Sequence, residues 1–102
     1  ALGFELALPW LVEADTADLN AAAEACGVGS AADLPAFVSG WMDRCGIVRS
    51  LPAAFKPFDE ADLAREMHAP ENQPMRRSTI RDVTDADIDR FAAAVMALPK
   101  GI

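Results

Sequence analysis

No stretch of this sequence alternates apolar with polar residues for long; its apolar residues recur at steps of three and four, between residues that start and stop helices. That pattern predicts an all-α chain, because a half-buried strand needs a period of two and a half-buried helix a period near 3.6. The composition agrees. Tyrosine is absent and β-branched residues are scattered, whereas strands draw on both.

Leu2, Leu6, Pro9, Trp10 and Glu13 outline a first helix with a broad apolar side, in which Pro9 either introduces a kink or starts a second helix. Asp15 or Thr16 caps the next one, along which Leu19, Ala22, Ala23 and Cys26 recur until Gly27; Gly29 and Ser30 follow as a turn and a new cap. A third helix is expected over residues 31–45. It places Leu34, Phe37, Val38, Trp41, Met42 and Cys45 on one apolar stripe, with Pro35 in the first turn and Gly46 at the end, and makes the central core element. Residues 51–57 read as a bend with Phe55 and Phe58 as apolar plugs. Asp59 caps a fourth helix over residues 60–69, with Leu63 and Met67 inward and Pro70 as the stop. Residues 70–83 carry two prolines and three arginines without periodicity and read as an ordered loop, long for its setting. Thr84 and Asp87 then form a capping-box start, and Ile88, Phe91, Ala92, Val95 and Leu98 give the last helix its buried face. The expectation is a compact bundle of about five helices in a single domain, residues 1–102.

At 102 residues the chain is too short to add a nucleotide-binding sheet to a catalytic domain. Much of its 52% apolar content is alanine, so the core is modest. Nine basic residues against sixteen acidic ones leave a net charge of -7, which repels phosphate backbones and anionic headgroups; neither nucleic acid nor a membrane is an expected partner. The one basic cluster, Arg76, Arg77 and Arg81, is expected to solvate a loop or pair with carboxylates. Cys26 and Cys45 show no CxxC spacing and are expected as reduced, buried packing residues of a cytoplasmic protein. The apolar start, residues 1–12, contains Glu5 and Pro9, is too short to span a bilayer and has no basic opening of a signal peptide.

His68 is the only histidine, which rules out a self-contained site with two histidine ligands; its expected role is a contact at a helix C-terminus. Asp85, Asp87 and Asp89 are expected as helix-start charges, since a calcium loop also wants a glycine and a distal glutamate. Neither GxGxxG nor GxxxxGK[ST] occurs, and Gly27 and Gly29 follow a helix instead of opening one. Trp10 and Trp41 read as core or interface aromatics. No catalytic, cofactor-binding or metal-binding residue is therefore assigned, and the chain alone is expected to bind neither metal nor nucleotide.

Two stretches, and a shorter one between them, carry a resemblance. Ala1-Leu2-Gly3-Phe4-Glu5-Leu6-Ala7-Leu8-Pro9-Trp10 is similar to the helix that, in iron-containing (group III) alcohol dehydrogenases, follows a metal-binding His-Gly pair, runs through small and apolar residues to a Leu-Pro step and continues. Residues 69–75, Ala-Pro-Glu-Asn-Gln-Pro-Met, followed by Asp82-Val83-Thr84-Asp85-Ala86-Asp87-Ile88, resemble that family's closing Asn-Pro-Arg-like loop, its Val-Thr acidic helix start and its final amphipathic helix. Gln73 here separates the asparagine from the proline, and the arginines come later. Cys45-Gly46-Ile47 through Leu51 resembles the family's Leu-Gly-Ile-Pro segment, with Val48 in place of the proline. The resemblance implies the C-terminal part of a dehydroquinate synthase-like helical domain. It also implies a parent enzyme that interconverts alcohols with aldehydes or ketones using NAD(P) and a divalent metal, iron or zinc. The nucleotide-binding part and the metal ligands would lie upstream, so the chain would be a fragment, inactive in isolation, whose partner is the missing N-terminal part. Self-association is expected through the first helix, around Phe4, Leu8 and Trp10. The alternative expectation is a stand-alone helical interaction or oligomerisation domain without enzymatic activity.

Overall fold

A computed structural model describes residues 1–101, and among them there are six α-helices, three short 3-10 turns and no β-strand. They group into two compact units, residues 1–48 and residues 49–101.

In the first unit, α1 (Leu2–Val12), α2 (Ala17–Ala25), a 3-10 turn (Ala31–Asp33) and α3 (Leu34–Arg44) follow one another. Pro9 lies inside α1 and neither ends it nor starts a new helix. Thr16, not Asp15, is the cap of α2: its hydroxyl accepts from the Leu19 N–H at 3.3 Å. Asp15 instead takes a left-handed backbone conformation, φ 47°, and its carboxylate accepts from the Asn20 amide at 3.1 Å. Gly27 and Gly46, at φ 75° and 71°, end α2 and α3 in the same way. The Val28 N–H reaches back to the Ala23 carbonyl and the Ile47 N–H to that of Met42, the paired closure that only a left-handed residue after the helix permits at low cost.

Leu8, Leu19, Ala23, Ala31 and Leu34 form the core of this unit, with Leu11, Val12, Val28 and Val38 packed against it. The expected stripe on α3 divides here. Leu34 and Met42 are buried and Val38 faces the core, but Phe37 is half-buried and Trp41 and Cys45 are exposed. Helix α1 and the Ala31–Asp33 turn pack against α3, and a small alanine-rich core covers one row of that helix and leaves the neighbouring row outside. The expectation of buried cysteines is also corrected: Cys26 and Cys45 are exposed free thiols. Each is the last residue before a chain-reversing glycine, where the helix has already left the core.

The second unit contains a 3-10 turn (Ala53–Phe55), α4 (Glu60–Met67), a 3-10 turn (Pro70–Asn72), α5 (Gln73–Arg77) and α6 (Asp85–Met96). Helices α4 and α6 pack on each other, and Leu51, Ile88, Ala92 and Met96 are buried. Capping boxes open both. Asp59 and Asp62 exchange backbone-to-carboxylate bonds of 2.9 and 3.0 Å; in the second box the Thr84 N–H donates to the Asp87 carboxylate at 3.0 Å and the Asp87 N–H to the Thr84 hydroxyl at 3.1 Å. Helix α4 ends at Met67 with His68 as its C-cap, two residues short of the expected end.

Residues 70–83 are not a single irregular loop. Pro70 and Pro74 each fall in the first turn of a short helical element, where proline's missing donor costs nothing and its fixed φ suits the helix. The expected plugs Phe55 and Phe58 are 36% and 54% exposed, because the 3-10 turn and the bend after it leave no element to cover them. The unit is closed by its own ends: the Leu51 N–H donates to the Pro99 carbonyl at 2.8 Å, the Gly101 N–H to the Leu51 carbonyl at 2.9 Å, and the Ser50 hydroxyl to the Pro99 carbonyl at 3.0 Å. The Lys100 ammonium caps the end of α6 by donating to the Met96 carbonyl at 2.8 Å. No described helix is long and apolar enough to cross a membrane.

Candidate functional site

A group of titratable side chains links the end of α4, α5 and the start of α6 in the second unit. His68 stands at the end of α4 with its Nε2 2.9 Å from the Asp89 carboxylate and its Nδ1 3.8 Å from that of Asp85. Asp85 and Asp89 are four residues apart on α6, hence on one face, and the imidazole sits across both. Arg76 of α5 completes the group. Its Nη2 is 3.0 Å from Asp85, and its Nε and Nη2 both donate to the Val83 carbonyl, at 2.9 and 2.7 Å. Asp87, between the two carboxylates in sequence, turns away: it is buried, holds the Thr84 N–H and pairs with Arg90. The three aspartates that share a helix start therefore do two separate jobs.

His68, expected as a contact at a helix C-terminus, instead meets the carboxylates of Asp85 and Asp89 on α6, and Arg76 takes the carboxylate-pairing role, one of the two expected for its cluster. They offer little chemistry. A histidine acting as a general base needs one ring nitrogen oriented and the other free to meet a substrate, whereas both nitrogens of His68 face carboxylates. No serine or cysteine takes part in the group. Among the described residues no group of three or more His, Cys, Asp or Glu side chains could hold a metal ion.

The electrostatics of the unit follow from its caps. The Thr84 backbone N–H donates to the Asp87 carboxylate, and this bond, aided by the Thr84 hydroxyl and Arg90 and opposed by burial, holds its pKa at about 2, below the ordinary 3.8. Asp62 is lowered in the same way, chiefly by the Asp59 backbone N–H.

Two grooves flank α4. One, of about 250 Å³, is lined by Phe55, Phe58, Leu63 and Met96 with Asp62, Arg65 and Glu66 at its rim. That volume lies below the roughly 300–1,000 Å³ of small-molecule pockets. The other, of about 680 Å³, runs between α4 and α6 past Ala61, Ala64 and Ala93 and is open to solvent, with Arg65 and Arg90 among its lining residues. Neither contains a histidine or a cysteine. The sequence missed α5, and with it the element that carries Arg76 to Asp85; the signal was Pro74 in the first turn after Asn72. No family model matches the chain, and neither does a curated protein or a solved structure.

Proposed function

We propose that this chain is a helical module of a metal-dependent, NAD(P)-linked alcohol dehydrogenase, one wall of the catalytic cleft, which supplies no catalytic group of its own. The observation that supports this reading is α1. It runs unbroken through Leu8-Pro9, the Leu-Pro step inside a continuing helix that the resemblance implies. The Thr84 capping box at the start of α6 agrees with the Val-Thr acidic start of the same pattern.

The chain's own residues fit neither the metal nor the nucleotide of such an enzyme. Its only histidine is engaged by carboxylates on both sides, and no helix start follows a glycine-rich phosphate loop. Iron or zinc and NAD(P) would be held by the N-terminal nucleotide-binding part, this chain's proposed partner. A reducing cytoplasm fits two exposed free thiols. Self-association through α1 would rest on Phe4, which is 56% exposed, since Leu8 is buried in the core.

The natively produced protein tests the reading. It should be heavier than these 102 residues and should reduce NAD or NADP with a simple alcohol only when iron or zinc is supplied. A native protein of the mass of this chain alone would overturn the proposal, and so would a larger one that remains inert with both metals. The second reading, an interaction domain without chemistry, is favoured by the large apolar side chains left outside, Trp41 and Phe58 among them.

A further inference from the structure

Three of the chain's nine basic residues fall within six positions, and no acidic residue occurs between Glu71 and Asp82. Arg76, Arg77 and Arg81 bracket two adjacent hydroxyls there, those of Ser78 and Thr79. The two stand just past α5, in residues 78–84, which hold neither helix nor strand; Arg77 and Ser78 are exposed and Thr79 is half-buried. Both hydroxyls donate to the Met75 carbonyl, at 2.9 and 3.4 Å, and so satisfy one of the acceptors that the end of a helix leaves without a partner. The other five serines and threonines are placed differently. Thr16 and Thr84 accept helix-capping N–H groups and Ser30 donates to Asp33, each with carboxylates close by in sequence. Ser39 lies inside α3, and Ser50 follows a single arginine and holds the Pro99 carbonyl.

We propose that Ser78 and Thr79 form a phosphoacceptor site for an arginine-directed protein kinase, and that a phosphate there unties Arg76 from α6. A kinase with an acidic substrate groove selects arginines on the N-terminal side of a hydroxyl, in a segment that no helix or strand withholds. In the transfer the hydroxyl oxygen bonds to the γ-phosphorus of a nucleoside triphosphate and the bond from that phosphorus to the β-phosphate oxygen breaks. The nucleoside diphosphate leaves, and the kinase's base takes the hydroxyl proton. Three changes act on α5 together. The Met75 carbonyl loses a hydroxyl donor. A charge of about -1.5 to -2 arrives beside the last carbonyls of the helix, where an anion is unfavourable. Phosphate oxygens also compete with the Asp85 carboxylate for the Arg76 guanidinium, two or three residues back along the chain. Each change weakens the strap that Arg76 makes between α5 and the start of α6. This inference does not rest on the dehydrogenase reading, and its test involves neither alcohol nor NAD(P).

The 102-residue chain is incubated with magnesium, ATP and an arginine-directed serine/threonine kinase, beside a kinase that reads acidic residues, and the modified position is mapped by tandem mass spectrometry. The first kinase should add one phosphate, at Ser78 or Thr79, and the second should leave both hydroxyls unmodified. Arg77→Gln, at an exposed position, should slow the transfer about tenfold, the worth of one charge pair to the kinase. In the phosphorylated chain the Arg76 Nε–H, held by the Val83 carbonyl at 2.9 Å, should lose its protection from solvent exchange while the amides of α1 keep theirs. The proposal is overturned if the phosphate lands on another hydroxyl, if the chain takes none, or if the acid-reading kinase modifies the pair as fast. It is equally overturned if Arg77→Gln is modified at the unchanged rate, or if the Arg76 Nε–H stays protected after phosphorylation.

Discussion

In residues 1–48 every buried side chain is aliphatic or methionine, and the polar contacts at Thr16, Asn20 and Ser30 reach no more than five residues along the chain. In residues 49–101 the buried apolar set is smaller, Leu51, Ile88, Ala92 and Met96, but a buried carboxylate joins it, and polar side chains tie elements distant in sequence: His68 to Asp89, Arg76 to Val83 and Asp85, Ser50 to Pro99. Both regions are helical and of similar length. The difference lies in what the second unit adds to a thin alanine-rich core: a buried carboxylate and directed polar straps between helix ends. Apolar packing carries no proton linkage and is not screened by ions, whereas charged straps titrate with acid and weaken as salt screens them.

Leu8→Ala should cost the most, about 2–5 kcal/mol, because it empties the centre of a core with few large side chains and little freedom to collapse. Urea unfolding measures it, and a loss under about 1 kcal/mol would break the contrast by showing that the first unit does not depend on packing. Arg76→Ala comes next, at about 1–3 kcal/mol, since it leaves the Val83 carbonyl and Asp85 without their shared donor; an effect no larger than that of Arg77→Ala, whose side chain is exposed, would remove the strap from the account. Thr84→Ala should cost about 1 kcal/mol through loss of the cap on α6.

A smaller effect is expected for His68→Ala, about 0.2–1 kcal/mol, because its imidazole is a third exposed and the carboxylates it meets are more so. That loss should shrink further in high salt, and one that persists unchanged would mean packing rather than charge holds α4 to α6. The last prediction concerns acid. The folded pKa of Asp87 lies at about 2 and its ordinary value at 3.8, so the unfolded chain takes up this proton first. Its contribution is complete above about pH 4 and is lost as pH falls from there through 2; Asp87→Asn should flatten the stability profile over that window and leave it unchanged at neutral pH in slope.

The helices at Thr16, Asp59 and Thr84 were legible because a cap is a local device: a side chain accepts from a backbone N–H three residues on, and the sequence spells both partners. Pro35 in the first turn of α3 and Gly27 and Gly46 after α2 and α3 were legible for the same reason. Residues 73–77 were not, since a helix of one turn has no periodicity to detect, and Pro74 reads as a breaker until its position in the first turn is known. The histidine's role was readable only as a class of contact. Its partners Asp85 and Asp89 lie on another helix, and no local rule ties them to residue 68.

The sequence by itself determined an all-helical chain, the starts and stops of its longer helices, and a net negative charge. Tertiary structure alone decided which of two apolar rows on α3 is covered, that Phe55, Phe58 and both cysteines stay outside, and that His68 and Arg76 converge on α6. Periodicity and capping are set by neighbours within about four residues. Burial depends on which elements meet, and a three-helix core built largely from leucine and alanine is too small to cover every apolar side chain the pattern offers.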